Sequence, residues 1–142
     1  MVVYTSDKSS YLGEHCSGDK RLLYDESIRI PMLVRHPRLF GKGRIVNEMV
    51  INIDIDIAPT FLDLAGVKVP QEMQGASWKD LAAGRKPENW RKSFFAEYYK
   101  ELGDVPTQYA IRTTTHKFVK YPNRPEWTEV FDLVADSYEI KN

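Results

Sequence analysis

The sequence is poor in the residues and segments that define several large classes of protein. A single cysteine, Cys16, excludes an internal disulfide framework and a multi-cysteine metal site. No apolar run approaches the roughly 20 residues needed to span a bilayer. The first residues lack the basic start and long apolar stretch of a signal peptide. These absences predict no membrane contact and no export signal in this chain, and they leave its localisation unknown.

An excess of charge of either sign is also missing. The 142 residues include 20 Lys and Arg against 20 Asp and Glu, so the formal net charge is zero. Proteins that bind nucleic acid or anionic membranes typically carry a basic surplus. The balance therefore predicts that neither nucleic acid nor a membrane surface is a partner. Apolar residues make up 42% of the chain, which is ordinary for a folded domain and argues against disorder.

Familiar catalytic and cofactor motifs are absent too. There is no Gly-x-Ser-x-Gly turn for a serine nucleophile and no glycine-rich phosphate loop. The three histidines lack the His-x-x-x-His spacing of zinc enzymes. Cys16 directly follows His15, and this adjacency does not by itself place a base against a thiol. Motifs alone indicate an α/β domain and no particular reaction.

The first 84 residues have a pattern typical of an α/β segment. Residues 2–5 are apolar and β-prone, and residues 6–20 are polar and aperiodic, which predicts a strand followed by a loop. Loops at the carboxyl ends of strands carry ligands in α/β proteins, although an ordinary surface loop is an equally good interpretation. One helical turn is predicted within residues 19–27, before a short buried strand that begins near Pro31.

A helix is predicted next, and its first residues also allow a metal interpretation. Asp54 and Asp56 alternate with isoleucines, a pattern compatible with a metal site, but capping explains it better. Asp56 suits the N-cap, Pro59 suits the first turn, and Gly66 suits the C-terminal stop.

The remaining residues change from helical to strand patterns. A short helix is predicted between Ser77 as its N-cap and Gly84 as its stop. Four β-prone segments follow, at residues 94–99, 109–113, 117–121 and 129–133, and they predict a small antiparallel sheet. The chain is therefore divided into an α/β segment at residues 1–84 and a small antiparallel β subdomain at residues 85–142.

Nearly the whole chain resembles the second half of a sulfatase, with its segments in the same order. The segments that carry the resemblance are Tyr4-Thr5-Ser6-Asp7, Tyr11-Leu12-Gly13-Glu14-His15, Lys20, residues 27–37, Asn52-Ile53-Asp54, residues 56–66, Met73-Gln74-Gly75, Ala110-Ile111-Arg112-Thr113, Lys117-Phe118 and Val130-Phe131-Asp132-Leu133. Within that family the chain is most similar to sulfated-sugar enzymes, such as N-acetylglucosamine-6-sulfatases and iduronate sulfatases.

The resemblance implies a partial alkaline-phosphatase-like α/β fold, with residues 1–84 as the carboxyl-terminal portion of the sulfatase core. It also implies sulfate ester hydrolysis by the complete enzyme, which uses Ca²⁺ and a formylglycine made in a Cys/Ser-x-Pro-Ser-Arg motif. That motif is absent here, because Cys16 is followed by Ser-Gly-Asp-Lys. The family's amino-terminal pair of metal-binding aspartates is absent as well. No residue of this chain is assigned as catalytic, and the chain alone is expected to be inactive.

Two positions transfer from the family's site by resemblance. Asp7 takes the place of a calcium-ligating aspartate, and carboxylate oxygen is the ligand that calcium prefers. Lys20 takes the place of a lysine that holds the sulfate, whose ammonium can stabilise sulfate oxygens as the ester bond breaks. His15 is a further candidate for contact with substrate. The family has His or Asn directly after the aspartate, whereas Lys8 stands there and would repel calcium.

Three hypotheses follow for the chain as a whole. It is the carboxyl-terminal portion of a sulfatase, or a stand-alone interaction protein that reuses the sulfatase scaffold, or one chain of a split enzyme completed by an amino-terminal sulfatase half. The resemblance makes residues 2–4 and 32–34 interior strands of a larger sheet. Open strand edges and an uncovered apolar face then predict a homo-oligomer, most simply a dimer.

Overall fold

The computed structural model describes residues 1–41, 43–46, 53–100 and 105–142. In chain order its α-helices and strands are β1 (Val2–Thr5), α1 (Asp25–Ile28), β2 (Met32–Arg35), α2 (Ile53–Leu64), α3 (Lys79–Ala82), β3 (Ser93–Tyr98), β4 (Gln108–Thr113), β5 (His116–Lys120) and β6 (Glu129–Asp132). They belong to two compact units, one of residues 1–7 and 32–91 and the other of residues 8–31 and 92–142. In these ranges, no helix combines the length and apolar character needed to cross a membrane.

The first unit contains a two-stranded sheet that packs on a tryptophan-rich core. Strands β1 and β2 pair antiparallel, with Tyr4 opposite Leu33. The inward side chains of both strands pack against Trp78, Leu81 and Trp90. The outward side chains alternate with them and remain exposed, which is the period-two pattern of a half-buried strand. The strand predicted near Pro31 therefore exists, but only one of its faces is buried.

Helix α2 begins at Ile53, so the prediction that Asp56 is its N-cap is wrong. Asp56 instead lies inside the first turn and is fully buried. Its carboxylate accepts the Ala76 N–H at 2.8 Å and pairs with Arg91, whose Nη2 lies 2.6 Å from Oδ1. Pro59 lies in the helix interior, beyond the predicted first turn.

The predicted stops of both helices are confirmed. Gly66 and Gly84 have φ angles of 72° and 85°, the left-handed conformation that follows a helix end and favours glycine. The predicted start of α3 is shifted by one residue, because Trp78 occupies the N-cap position. Ser77 still contributes to this helix start, since its hydroxyl accepts the Lys79 N–H at 3.3 Å.

The second unit is built on a four-stranded antiparallel sheet in the order β3-β4-β5-β6. All four predicted strands are confirmed, with each end within one residue of its predicted position. The inner face of the sheet buries Ala110 and Val119 together with Leu23 and Tyr121. Leu23 comes from the segment of residues 8–31, which also carries α1, the predicted helical turn. The division of the chain at residue 84 stays a prediction.

Candidate functional site

The residues assigned by resemblance occur in both units. Asp7 belongs to the first unit and is exposed two residues after the end of β1, where the Ser6 hydroxyl donates to its carboxylate at 3.4 Å. Lys8, His15 and Lys20 belong to the second unit, on the segment that leads into α1. Lys8 and Lys20 are exposed, whereas His15 is largely buried.

Calcium normally takes six to eight oxygen ligands. Asp7 supplies a carboxylate, but the adjacent Lys8 supplies an ammonium that cannot coordinate a cation. Asp7 and Lys8 therefore do not form a complete calcium site by themselves. Such a site would need oxygen ligands from further residues.

The segment that carries His15 and Lys20 is held by hydrogen bonds within the second unit. The Tyr11 N–H donates to the Asp19 carbonyl at 2.9 Å, and the buried Tyr11 hydroxyl donates to the Leu22 carbonyl at 2.6 Å. The hydroxyl of Ser27 donates to the Lys20 carbonyl. These contacts fix the backbone of Lys20 while its ammonium group stays in solvent.

An open cleft of about 540 Å³ lies in the second unit, and His15 is part of its wall. His15, Cys16 and Glu139 all line it, and each adopts a positive φ between 52° and 56°. Residues other than glycine rarely adopt a positive φ, because their Cβ atom crowds the backbone in that conformation. Strained residues of this kind concentrate at functional sites, so the cleft is the candidate site of this unit.

The imidazole of His15 is oriented by two neighbours. Its ring stacks on Tyr24 with centroids 3.8 Å apart and planes 6° apart, and Nε2 lies 3.2 Å from a carboxylate oxygen of Glu26. The hydroxyls of Tyr24 and Tyr121 donate to the two oxygens of Glu129, at 2.6 and 2.8 Å. Burial and this carboxylate raise the pKa of both tyrosines above the ordinary value, so the hydroxyls stay protonated donors.

Behind the cleft lies a buried network of charged side chains. The fully buried Lys117 Nζ contacts the Leu23 carbonyl at 2.9 Å and Asp25 Oδ1 at 3.1 Å, and it also pairs with Glu139. Arg112 binds both oxygens of Asp25, at 2.9 and 2.6 Å. Two cations thus balance two carboxylates, and they connect α1, β4 and β5 to the turn at residue 139.

The two carboxyls of this network are shifted in opposite directions. Burial raises the pKa of Asp25, but the hydrogen bonds from Arg112 and the charge of Lys117 outweigh burial and hold this pKa below its ordinary value. Burial also raises the pKa of Glu139, and Lys117 does not fully cancel that effect. The network therefore favours an ionised Asp25 more strongly than an ionised Glu139.

Sequence reasoning gave no role to the acidic residues of the cleft and network. One signal was available, since Lys117 alternates with the exposed His116 and Phe118 and shares its inward face with Val119. A lysine at an inward strand position requires buried acidic partners. The partners themselves, Asp25 and Glu139, are 114 residues apart in sequence, and no local pattern connects them.

Comparison with known proteins places the chain in a family. The model of the family described as "N-sulphoglucosamine sulphohydrolase, C-terminal" matches residues 13–142. An N-acetylglucosamine-6-O-sulfatase of Bacteroides thetaiotaomicron is 39% identical over 146 residues, covering 100% of this chain and 26% of the relative. A bovine N-acetylglucosamine-6-sulfatase is 26% identical, covering 99% of this chain and 30% of the relative.

Solved structures agree with these relatives. A protein in complex with its substrate, D-glucosamine-2-N,6-O-disulfate, superposes with a TM-score of 0.90 at 39% identity, over 99% of this chain and 29% of that one. A putative sulfatase from Bacteroides thetaiotaomicron gives a TM-score of 0.89 at 25% identity, over 99% and 30%. The expected partial sulfatase fold is therefore confirmed, and the chain spans only between a quarter and a third of these relatives.

The fold, the order of the segments along the chain and the family match all indicate a sulfatase. Sulfatase relatives imply a metal cofactor in general, without specifying the ion for this chain. The resemblance to the carboxyl-terminal region of sulfated-sugar sulfatases is confirmed. The chain belongs to the sulfatases, in the N-sulphoglucosamine sulphohydrolase C-terminal family.

Proposed function

We propose that this chain forms the carboxyl-terminal part of a sulfatase that hydrolyses sulfate esters of sugars. The observation that carries the proposal is the similarity, over 99% of the chain, to a protein bound to its disulfated glucosamine substrate. Because the chain corresponds to only 29% of that protein, the nucleophile and most metal ligands would come from other residues. They would lie on the same polypeptide or, in a split enzyme, on a partner chain.

Lys20 is the residue proposed to hold the sulfate group. Its exposed ammonium extends from a backbone anchored by Ser27, so it can approach an anion without reorganising the loop. His15 is the weaker candidate, because its Nε2 faces Glu26 and its cleft is also lined by Glu14 and Glu129. A sulfate entering that cleft would meet like charges, which disfavour its binding.

Asp7 is proposed as the calcium ligand that this chain contributes. One carboxylate beside Lys8 supplies few of the oxygens that calcium requires. The isolated chain is therefore expected to bind calcium no more tightly than about millimolar, the range of weak sites.

Turnover by the isolated chain is not expected. No Cys or Ser in the sequence begins a Cys/Ser-x-Pro-Ser-Arg motif, so no formylglycine can form here by that route. Without a nucleophile, the covalent sulfate intermediate has no attachment point.

A second function is favoured by one specific observation, the exposed apolar face of the β1–β2 sheet. Val2, Tyr4 and Leu33 are 61%, 68% and 65% exposed on that face. A stand-alone interaction protein that reuses the scaffold would use such a surface for assembly. One result distinguishes the sulfatase function from the interaction function. It is whether the chain supports catalysis when the nucleophile and the other metal ligands are supplied.

A chimera tests the sulfatase proposal directly. The matching segment of the 39% identical Bacteroides enzyme is replaced by this chain, and sulfate release is measured from 6-O-sulfated N-acetylglucosamine. We expect turnover by the chimera and none by the isolated chain. Lys20→Ala should reduce kcat/KM by about 100-fold or more, whereas Lys68→Ala, an exposed lysine, should leave it unchanged.

Two results would contradict the proposal. A folded chimera without turnover, beside an active parent enzyme, would show that this chain cannot complete a sulfatase site and would favour the interaction function. Turnover by the isolated chain that survives both Cys16→Ser and stringent purification would show that a different nucleophile operates.

A further inference from the structure

Three potential metal ligands converge on the cleft of the second unit. His15, Glu26 and Glu139 each place one ligand atom within 4.8 Å of the other two. The side chains of His15 and Glu26 are only 14% and 20% exposed, and that of Glu139 is fully buried. All three residues line the same open cleft, which gives an ion and its water molecules a route from solvent.

The donor atoms already lie close to coordination geometry. His15 Nε2 and Glu26 Oε2 are 3.2 Å apart. Two ligands of a tetrahedral ion with bonds of about 2.1 Å are separated by roughly 3.4 Å. The ligand oxygen of Glu139 lies within 4.8 Å of both of these atoms.

Neighbouring groups orient two of these ligands, as is usual around bound metal ions. His15 is oriented by its stack on Tyr24, and Glu139 Oε2 accepts the Asp25 N–H at 2.7 Å. Such contacts fix the rotamers and the basicity of metal ligands. They also lower the conformational cost of assembling the site around an ion.

The second oxygen of Glu139, Oε1, contacts the buried ammonium of Lys117 and is already paired in charge. Lys117 also contacts Asp25 and the Leu23 carbonyl, so its positive charge is shared with a second carboxylate. These contacts can remain when an ion binds Glu139 from the cleft.

The donor set selects the kind of ion. Calcium and magnesium prefer oxygen ligands alone, whereas one imidazole with two carboxylates suits borderline ions such as Zn²⁺. The cleft also carries Glu14 and Glu129, so its charge favours a cation.

We propose that His15, Glu26 and Glu139 form a binding site for a divalent transition-metal ion of the Zn²⁺ type, with water from the cleft as the remaining ligand. The site uses neither Asp7 nor Lys20, and it therefore goes beyond the proposed sulfatase function. The bound ion connects the strained turn at His15, helix α1 and the turn at Glu139, and it stabilises the second unit.

The test uses the whole chain, freed of any affinity tag and treated with a chelator. Zn²⁺ is titrated by calorimetry, with Ca²⁺ in a parallel titration. We expect one Zn²⁺ per chain, bound at least ten-fold more tightly than Ca²⁺, and a Tm that rises with Zn²⁺ concentration. His15→Gln and Glu26→Gln should each weaken Zn²⁺ binding by about ten-fold or more.

Three control variants make the assignment specific. Glu14→Gln removes a cleft carboxylate outside the proposed ligand set, and Cys16→Ser removes the neighbouring thiol. Asp7→Asn removes the proposed calcium ligand. All three should bind Zn²⁺ as the unaltered chain does, and circular dichroism verifies that every variant is folded. If His15→Gln does not fold, Glu26→Gln decides the outcome.

The proposal is overturned if Zn²⁺ does not bind saturably, or if Glu14→Gln weakens binding as much as Glu26→Gln does. Loss of binding in Cys16→Ser would assign the ion to a thiolate site instead. None of these results bears on the chimera assay, because that assay depends on Lys20 and Asp7. Failure of the metal site and failure of the sulfatase function are therefore distinguishable.

Discussion

The carbonyl oxygen of Ile55 lies 1.8 Å from the point where a Cβ atom on Gly75 would be. Pro59 is inside helix α2 and has no N–H, so the Ile55 carbonyl cannot form the usual helical hydrogen bond to the residue four positions later. The chain at residue 75 passes directly over this carbonyl, and the adjacent Ala76 N–H is fixed to Asp56 at 2.8 Å. Only glycine fits at position 75.

Gly75→Ala should therefore destabilise the protein. The added methyl group would meet backbone atoms that cannot rotate away, and overpacking of this kind typically costs about 1–3 kcal/mol or more. Gly18→Ala is the matched control, since a Cβ there has no neighbour within 4 Å and φ is not in the left-handed region. Urea unfolding should place the midpoint of Gly75→Ala well below that of Gly18→Ala. Equal midpoints would refute the close approach.

The buried lysine of the second unit gives a second prediction. Lys117→Met keeps much of the side-chain volume but removes the cation between Asp25 and Glu139. Breaking a buried ion pair by removing one partner typically costs about 3–5 kcal/mol. Lys120→Met, an exposed position on the same strand, should change the free energy of unfolding by no more than about 0.5 kcal/mol. Similar losses in both variants would mean that the network does not stabilise the fold.

Acid titration should reveal the role of Asp25. Its pKa is lower in the folded chain than in the unfolded chain, so its ionisation stabilises the fold above about pH 4, near the unfolded pKa. That contribution is lost as the pH falls through the folded pKa. The free energy of unfolding, measured between about pH 3 and pH 6, should therefore decline more steeply below pH 4 in the unaltered chain than in Asp25→Asn. Parallel curves would contradict this.

The pH dependence from Glu139 has the opposite sign. A carboxyl whose folded pKa is raised contributes stability that is complete below its unfolded pKa, about 4.3, and is lost as the pH rises through the folded value. Glu139→Gln should therefore show a smaller loss of stability above about pH 4 than the unaltered chain. An unchanged decline in this variant would assign the effect to other groups.

Local patterns predicted much of this fold, because they act over short sequence distances. The β-prone composition of four segments located β3 to β6, and the conformational freedom of glycine located the stops at Gly66 and Gly84. Asp56 shows the limit of such reasoning. An acidic residue near a helix start suits a cap or a metal, but this one pairs with Arg91, 35 residues later, and no local signal distinguishes these roles.

The candidate site was predicted less completely than the fold. The resemblance drew attention to His15, yet the geometry that defines its surroundings comes from Glu26, Glu129 and Glu139. Glu129 and Glu139 lie more than 100 residues after His15 in the sequence, and they approach it only through packing of the second unit. The roles of Asp7 and Lys20 stay predictions, because they rest on the resemblance alone.

Self-association is the last prediction, and it rests on the β1–β2 sheet. Tyr4 and Leu33 pair across the strands and expose 68% and 65% of their surface on one face. Each strand also has an outer edge without a further strand among the described residues, so its N–H and C=O groups can pair with a second copy. Zero net charge offers no general repulsion to oppose such pairing.

Light scattering at micromolar concentration should therefore give at least about twice the 16.5 kDa monomer mass, as expected for a symmetric dimer. Replacing both Tyr4 and Leu33 by lysine should restore the monomer, because like charges would then face each other across the contact. Leu12→Lys, a change at a leucine that is 92% exposed in the second unit, should leave the mass unchanged. A monodisperse monomer of the unaltered chain would refute the prediction and mean that its exposed sheet is tolerated in solution without a partner.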